Sequence, residues 1–254
     1  MSPVIIVTGA SRGLGLAVLH TLLDKYHARV ATLSRSLSPA LQETAKQYGD
    51  RILVVQGDVS KPEDNARVVE EAMNRWGQVD GLVVNAGNID PVGKVGNLPL
   101  DALVPYIQTN LLATIYLVQP ALPHLRKSKG RIVLVSSGAS STGYQAWGLY
   151  SMTKAGLNSL ARTIGNEEKD NGVAIWAVRP GVVDEQMQAF LRTHGQSEMS
   201  EAELAKFQDA FERGELLPPA KPGAVLAGLA VEGPLELSGE YLNWTDERLQ
   251  KYQL

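Results

Sequence analysis

Short apolar runs alternate with longer segments of helical period along most of the chain, and this alternation restricts the possible folds most strongly. The runs are rich in β-branched residues and stand at 4–8, 28–34, 51–56, 79–84, 131–136 and 173–178. Because they show little polar alternation, both of their faces are expected to be covered, as in a parallel sheet. The helical segments between them fall at about 13–26, 38–48, 62–76, 100–127 and 147–170. This order predicts an α/β fold with a Rossmann-type, doubly wound parallel sheet and helices on both faces.

The rest of the chain fits a single domain spanning residues 1–254. A seventh strand is expected near 240–243, after a helix at about 222–231. The segment 184–217 breaks the strand and helix rhythm with two amphipathic pieces after the sixth strand. Ligands of open α/β sheets bind beyond the carboxyl ends of the strands, so this segment is expected to be a substrate lid. The alternative is that its apolar residues only pack its helices onto the body.

Charge and composition exclude several classes of function. A net charge of −3 argues against binding to nucleic acid or to an anionic membrane. The absence of cysteine excludes disulfides, thiolate metal sites and cysteine nucleophiles, and the four histidines lie far apart, so no metal site is expected. No stretch approaches the roughly 18 apolar residues of a membrane span. We therefore expect a soluble, cytoplasmic protein whose partner is a small molecule.

A glycine-rich loop follows the first strand and leads into the first helix. Its glycines have the spacing Gly-xxx-Gly-x-Gly, a variant of the dinucleotide fingerprint. Glycines permit a tight turn and close backbone approach, while a helix N-terminus offers free N–H donors to a pyrophosphate. The alternative is an ordinary turn, but the position between the first strand and helix favours a dinucleotide. The expected contacts are Gly9, Ser11, Arg12, Gly13, Leu14 and Gly15.

The end of the second strand indicates which dinucleotide is bound. An acid here would bind the ribose diol of NAD, whereas an arginine suits the 2′-phosphate of NADP. The chain has Ser34 and Arg35 at this point and no acid, and Arg12 in the loop adds a second cation. Guanidinium groups pair well with phosphate oxygens, so NADP(H) is the predicted cofactor. In the alternative interpretation Arg35 is a solvated loop residue.

Two further strand ends fit the same crevice. Asp58 and Val59 follow the third strand, where a carboxylate can accept from the adenine amino group and an apolar side chain can pack on the ring. Asn85, Ala86 and Gly87 follow the fourth strand and are expected beside the cofactor. Ordinary turn chemistry is the alternative explanation for both sets.

The chemical end of the site is indicated by Ser137, Tyr150 and Lys154. Tyr150 and Lys154 are four residues apart and share a helical face, where an ammonium favours ionisation of a phenol. Alone, this spacing is more often a solvated pair. Ser137, however, ends the fifth strand and can face the following helix across the crevice, so a hydroxyl, a phenol and an ammonium are expected to converge on one carbonyl group.

With Asn85-Ala86-Gly87, Asn110 and Pro180-Gly181, these features resemble the short-chain dehydrogenase/reductase family along essentially the whole chain. The resemblance implies that Tyr150 is the general acid of a carbonyl reduction. It implies that Lys154 lowers the pKa of Tyr150 and holds the nicotinamide ribose hydroxyls, and that Ser137 hydrogen-bonds the substrate carbonyl. Asn110 would hold a water that relays protons to the lysine, and Ser136 would be structural or a neighbour of the cofactor. Further cofactor contacts implied by the family are Pro180, Gly181 and Val183.

Within the family, the chain is most similar to the sepiapterin reductase and fungal benzil reductase-like branch. The resemblance lies in Trp147-Gly148-Leu149-Tyr150 and in the run from Pro180 to Gln188. Glu185 departs from the usual threonine of the branch, and an anion beside the cofactor phosphates would be repelled unless it turned toward solvent. Asn243 aligns with the aspartate that anchors a pterin, and an amide cannot supply that charge.

An aromatic ketone or a 1,2-diketone is therefore the expected substrate of an NADPH-dependent carbonyl reductase. A sepiapterin-type pterin reductase and a non-catalytic NADP-binding redox sensor remain open as alternatives. The resemblance also implies a homodimer or homotetramer packed through the long helices at about 100–127 and 147–170. The candidate substrate contacts are Tyr144, Trp147, Met187, Asn243 and Trp244, each of which has core packing as its alternative role.

Overall fold

A parallel sheet of seven strands forms the centre of the computed structural model, which describes residues 2–254. The strands are β1 (Val4–Thr8), β2 (Arg29–Ser34), β3 (Ile52–Gln56), β4 (Gly81–Val84), β5 (Arg131–Val135), β6 (Ala174–Arg179) and β7 (Tyr241–Asn243). They lie in the order β3-β2-β1-β4-β5-β6-β7, and every neighbouring pair is parallel. The order reverses between β1 and β4, and such a switch point opens a crevice at the carboxyl ends of the strands. The predicted single-domain, doubly wound fold and its seventh strand are confirmed.

Helices cover both faces of this sheet, as the uniformly apolar strands require. They are α1 (Gly13–Asp24), α2 (Pro39–Tyr48), α3 (Pro62–Trp76), α4 (Leu100–Ile107), α5 (Ala113–Ser128), α6 (Gly148–Glu167), α7 (Gln186–His194), α8 (Glu201–Glu212) and α9 (Ala220–Glu232). Side chains of α1, α2 and α9 share one core with Ile5 and Val7 of β1, whereas α3, α5 and α6 share a second core with Ile6. The five inner strands are therefore buried on both faces, whereas the edge strands β3 and β7 are partly exposed.

The helix expected over about 100–127 is in fact interrupted. A π-helical turn over Gln108–Leu112 separates α4 from α5. The turn places Asn110 in the interior, with only 3 % of its surface exposed. A π-helical turn holds an extra residue without breaking the helical path, so the apolar pattern runs through it and the sequence predicted one helix.

A third layer lies above the carboxyl ends of the strands. It contains α7 and α8, which lie within the expected lid segment 184–217. Leu191 of α7 and Phe207 of α8 are buried in a small apolar cluster with Trp147 and Tyr150 at the start of α6. This cluster covers the crevice at the switch point. Within residues 2–254, no helix combines the length and apolar character that crossing a membrane requires.

Candidate active site

A cavity of about 970 Å³ lies at the carboxyl ends of the strands. Its walls come from the segments that follow β1, β2, β3, β4, β5 and β6, from Asn243 at the end of β7, and from α7 and α8. The fold thus gathers side chains from distant parts of the chain around one space. All the predicted site residues line it except Asn110 and Asp58.

The glycine loop forms one end of the cavity. Gly9 and Gly13 have φ values of 70° and 54°, which glycine adopts without steric cost. At Gly15 an added Cβ would lie 2.3 Å from the carbonyl oxygen of Gly9, so only a hydrogen fits. Arg12 precedes α1 and its side chain makes no capping hydrogen bond, which leaves first-turn N–H groups directed at the cavity. The loop has the shape and polarity of an anion cradle.

Asn85 braces this loop from the neighbouring strand end. Its Nδ2 donates to the carbonyl oxygens of Thr8 and Gly9 at 3.1 and 3.2 Å. The hydroxyl of Thr8 in turn accepts from the backbone N–H groups of Asn85 and Ala86, both at 3.0 Å. The Asn85 amide therefore fixes the glycine turn, while Asn85, Ala86 and Gly87 also line the cavity as expected.

The cavity extends from the loop to the end of β2. Ser34, Arg35 and Ser36 line it there, and the Ser34 hydroxyl is buried without a hydrogen-bond partner among the described residues. Arg35 is exposed to solvent. Two cations, Arg12 and Arg35, thus flank this end, and none of the lining residues after β1, β2 or β3 carries a carboxylate.

Asp58 does not lie on the cavity wall, in contrast to the prediction. Its Oδ1 accepts from the backbone N–H of Ser60 at 2.9 Å, so the carboxylate closes a local turn after β3. Val59, the next residue, does line the cavity and offers an apolar surface. The sequence could not separate these roles, because an aspartate in a turn and one facing a ligand look alike.

The three chemically active side chains, Ser137, Tyr150 and Lys154, converge on the other end of the cavity. Tyr150 and Lys154 stand on the first turns of α6 and are 8 % and 4 % exposed. The Nζ atom of Lys154 lies 5.6 Å from the centre of the Tyr150 ring and donates to the carbonyl oxygen of Val135 at 2.7 Å. The predicted hydroxyl, phenol and ammonium therefore share one small volume.

Burial controls the ionisation of this pair. It raises the pKa of Tyr150 to about 12. A hydrogen bond with Ser137 partly offsets this rise, whereas the negative charge of Glu185 adds to it. Burial lowers the pKa of Lys154 to about 8, because the charged ammonium is removed from water, and Glu185 partly offsets this fall. The direction for Tyr150 is opposite to the lowering expected from its lysine neighbour. The phenol therefore keeps its proton at neutral pH.

A buried hydrogen-bond network holds Ser137 in place. Ser136 Oγ donates to Asn158 Oδ1 at 2.6 Å, and Asn158 Nδ2 donates to Ser140 Oγ at 2.9 Å. Ser140 Oγ then donates to the carbonyl oxygen of Ser137 at 2.6 Å, and Tyr241 of β7 donates to the same oxygen at 2.8 Å. The Ser136 side chain thus bonds to the protein, as expected of a structural residue. Asn158 is part of this network, and no sequence motif indicated this role.

Asn110 lies behind the cavity rather than on its wall. Its Oδ1 accepts from the backbone N–H of Asn88 at 2.9 Å, and its Nδ2 donates to Asn88 Oδ1 and to the carbonyl oxygen of Tyr106. A Cβ added to Gly87 would lie 2.8 Å from Asn110 Oδ1 and 3.8 Å from Lys154 Nζ, so Gly87 lets these two groups approach. Asn110 therefore positions the loop after β4 next to the lysine.

Aromatic side chains form the wall beside Tyr150. Trp147 stacks on Phe207 of α8 with ring centres 5.3 Å apart, and Tyr144 lies 4.8 Å from Trp147. All five predicted substrate contacts line the cavity, together with Ile89, Leu191 and Phe207, which the sequence did not single out. The amphipathic pattern of the lid segment was the only indication of the last two.

Glu185 turns into the cavity, not toward solvent. Its Oε2 accepts from the backbone N–H of Leu14 in the first turn of α1, at 3.4 Å. Burial raises the pKa of the Glu185 carboxyl, and the Leu14 N–H and the charges of Lys154 and Arg12 partly offset this rise. The chain thus carries an acid inside its anion cradle, which the sequence flagged only as a departure from related proteins.

Comparisons with known proteins agree with this geometry. The family model described as short chain dehydrogenase matches residues 3–196. An uncharacterized oxidoreductase of Saccharomyces cerevisiae, YIR035C, is 38 % identical over 256 residues, which cover 99 % of each chain. The benzil reductase ((S)-benzoin forming) IRC24 of the same yeast is 35 % identical over 262 residues and 100 % of both chains. The crystal structure of YIR035C superposes with a TM-score of 0.95 at 36 % identity, covering 99 % of this chain and 100 % of the other.

The fold, the glycine loop and the convergence of Ser137, Tyr150 and Lys154 agree with these matches, and the chain belongs to the short-chain dehydrogenase family of oxidoreductases.

Proposed function

We propose that this chain is an NADPH-dependent carbonyl reductase that acts on aromatic ketones or 1,2-diketones. One observation carries the proposal: Ser137, Tyr150 and Lys154 line the same cavity as the glycine loop and the aromatic wall. A dinucleotide cradle, a proton donor and an apolar substrate surface are the three parts that such a reaction needs.

The described residues fit a bound nicotinamide dinucleotide. The turn at Gly9 and Gly13 and the first turn of α1, which the Arg12 side chain does not cap, suit a pyrophosphate. The preference for NADP(H) is supported by Arg35 and Arg12, by the unpartnered Ser34 hydroxyl, and by the lack of an acid at the end of β2. Bound NADPH supplies a hydride to the carbonyl carbon.

Tyr150 then gives its proton to the substrate oxygen. A phenol whose pKa is about 12 in this environment is fully protonated at neutral pH and is a donor in the direction of reduction. Ser137, held through its backbone by Ser140 and Tyr241, donates to the same oxygen as negative charge develops there. Lys154 would bind the ribose hydroxyls of the cofactor, and Asn110 fixes the loop after β4 next to this lysine.

The aromatic wall supports a flat, apolar substrate. Trp147 and Phe207 offer stacked ring surfaces, and Tyr144 extends them. One relative named benzil reductase matches the full length of the chain at 35 % identity, and benzil is an aromatic 1,2-diketone. Asn243 lines the cavity where a pterin reductase would need a carboxylate, so a pterin is the weaker candidate.

Self-association is part of the proposal. Leu100 and Val104 of α4, Ile115 of α5 and Met152 of α6 are large apolar side chains that are 80, 64, 41 and 50 % exposed. Such a surface favours contact with a second copy, as a homodimer or homotetramer. Light scattering coupled to gel filtration measures the mass directly, and a monomer at micromolar concentration would contradict this part.

The central experiment follows NADPH oxidation with benzil, small diketones, simple ketones and sepiapterin, for the wild type and for Tyr150→Phe. We expect turnover with the diketones and a loss of 10²-fold or more in the variant, because only the proton donor is removed. The variant should bind NADPH as tightly as the wild type. Preference for sepiapterin would favour the pterin reductase, and tight NADPH binding without any turnover would favour the redox sensor.

A further inference from the structure

Glu185 occupies an unusual position for an acid. It is the residue that precedes α7, and its side chain reaches across the cavity to the start of α1. An added Cβ at Gly13 would lie 2.6 Å from Glu185 Oε2, so the carboxylate lies directly over the bare backbone of this glycine. The same oxygen accepts from the N–H of Leu14. The side chain thus uses both features that distinguish an anion cradle: the missing Cβ and the free N–H.

These two features are the ones that a dinucleotide requires. In this fold the pyrophosphate lies at the N-terminus of the first helix, and a glycine there permits its close approach. The carboxylate and a pyrophosphate are both anions, and each would accept a hydrogen bond from the same N–H group, that of Leu14. They cannot occupy the space over Gly13 together, because Glu185 Oε2 already lies 2.6 Å from the position that a Cβ would take and 3.4 Å from the Leu14 nitrogen.

We propose that Glu185 competes with the cofactor pyrophosphate for the first turn of α1 and thereby sets the affinity of the chain for the dinucleotide. The inference rests on the proposed dinucleotide-binding function. Glu185 acts as an internal anion that must be displaced whenever a dinucleotide binds, so part of the binding free energy is spent on moving it.

The surroundings of Glu185 stabilise it in this position. The positive charges of Arg12 and Lys154 both act on the carboxylate, and they also favour a bound phosphate. Displacement therefore separates the carboxylate from two cations and from the Leu14 N–H, and the cofactor takes over these partners. Because Glu185 immediately precedes α7, its departure from the cradle also releases a link between the lid and α1.

Calorimetric titration with NADPH at pH 7 tests the proposal in the full-length wild type, Glu185→Gln and Glu185→Thr. Glutamine keeps the size of the side chain and removes its charge, whereas threonine removes its reach. We expect the dissociation constant for NADPH to fall by about tenfold in Glu185→Gln and by at least as much in Glu185→Thr. The control is Glu212→Gln, which removes a charge from an exposed position on α8 that does not line the cavity and should change affinity by less than twofold.

A second ligand separates local competition from a general effect of charge. Adenosine 2′-monophosphate carries the 2′-phosphate and no pyrophosphate, so its affinity should be the same within twofold in all four proteins. An unchanged or weaker NADPH affinity in both Glu185 variants would overturn the proposal, as would an equal gain for adenosine 2′-monophosphate or in Glu212→Gln. Absence of NADPH and NADH binding by every protein would overturn the proposed function, and this inference with it.

Discussion

Replacing Lys154 with methionine is expected to stabilise the folded protein at pH 7 while it abolishes reduction. Burial lowers the pKa of Lys154 from 10.5 to about 8, so holding the ammonium in the folded state costs about 3 kcal/mol. Methionine keeps most of the apolar stem and carries no charge. It also loses the hydrogen bond to the Val135 carbonyl, which costs roughly 1–2 kcal/mol. The net gain of about 1–2 kcal/mol corresponds to a rise in Tm of roughly 2–8 °C for a chain of this size.

The pH dependence identifies the cause. Between pH 8 and 10.5 the unfolded chain holds the Lys154 proton that the folded chain has released, so the stability of the wild type rises with pH across this range. The variant lacks this titration. Its advantage in Tm should therefore be largest below pH 8, shrink above it, and reverse near pH 10, where only the lost hydrogen bond remains.

Thermal unfolding followed by circular dichroism at pH 7 and pH 10 measures this difference without cofactor. Lys46→Met is the matched control, because Lys46 is exposed on α2 and should give similar Tm values to the wild type at both pH values. A lower Tm for Lys154→Met at pH 7, or a gap in Tm that is the same at both pH values, would refute the argument that burial of the charge dominates.

Three further substitutions test other parts of the site. Gly15→Ala should lower Tm by several degrees and weaken NADPH binding, because its Cβ would meet the carbonyl oxygen of Gly9, whereas Gly96→Ala, with open space around it, should be neutral in both assays. Phe207→Ala should lower kcat/KM for benzil about 2- to 10-fold more than for a small aliphatic diketone, and an equal loss for both would argue against stacking. Arg35→Asp should shift the ratio of NADPH to NADH affinity toward NADH, and an unchanged ratio would show that Arg35 does not contact the 2′-phosphate.

The sheet and most helix boundaries were predictable, because the five inner strands are buried on both faces and this burial produces their uninterrupted apolar runs. The strand predicted at 4–8 is β1, and the helix predicted at about 62–76 is α3. The glycine loop and the residues Ser137, Tyr150 and Lys154 were predictable for a related reason. Their expected chemistry depends on residue type, which the sequence shows directly, and on the strand or helix end at which they stand, which the apolar pattern predicts.

Features that depend on tertiary surroundings were not predictable. The sequence shows that a lysine is near Tyr150, but only the fold shows that both are buried, and burial is the larger effect on the pKa of Tyr150. The same holds for Asp58, whose carboxylate bonds to a local N–H group. It also holds for Glu185, because only the fold shows that its side chain, placed just before α7, reaches the Leu14 N–H of α1.

The π-helical turn over Gln108–Leu112 makes the length of this segment as important as its composition. Removing one residue from it would let α4 and α5 join as one regular helix, and the parts on either side would rotate against each other by about 100°. The fully buried Leu117 ties α5 to the core, so α4 would take up the rotation. Tyr106 would then leave the carbonyl oxygen of Asn88, to which it donates at 3.1 Å. A one-residue deletion here would therefore disturb the loop after β4 more than a conservative substitution within the turn, because the spacing between the two helices keeps this loop beside Lys154.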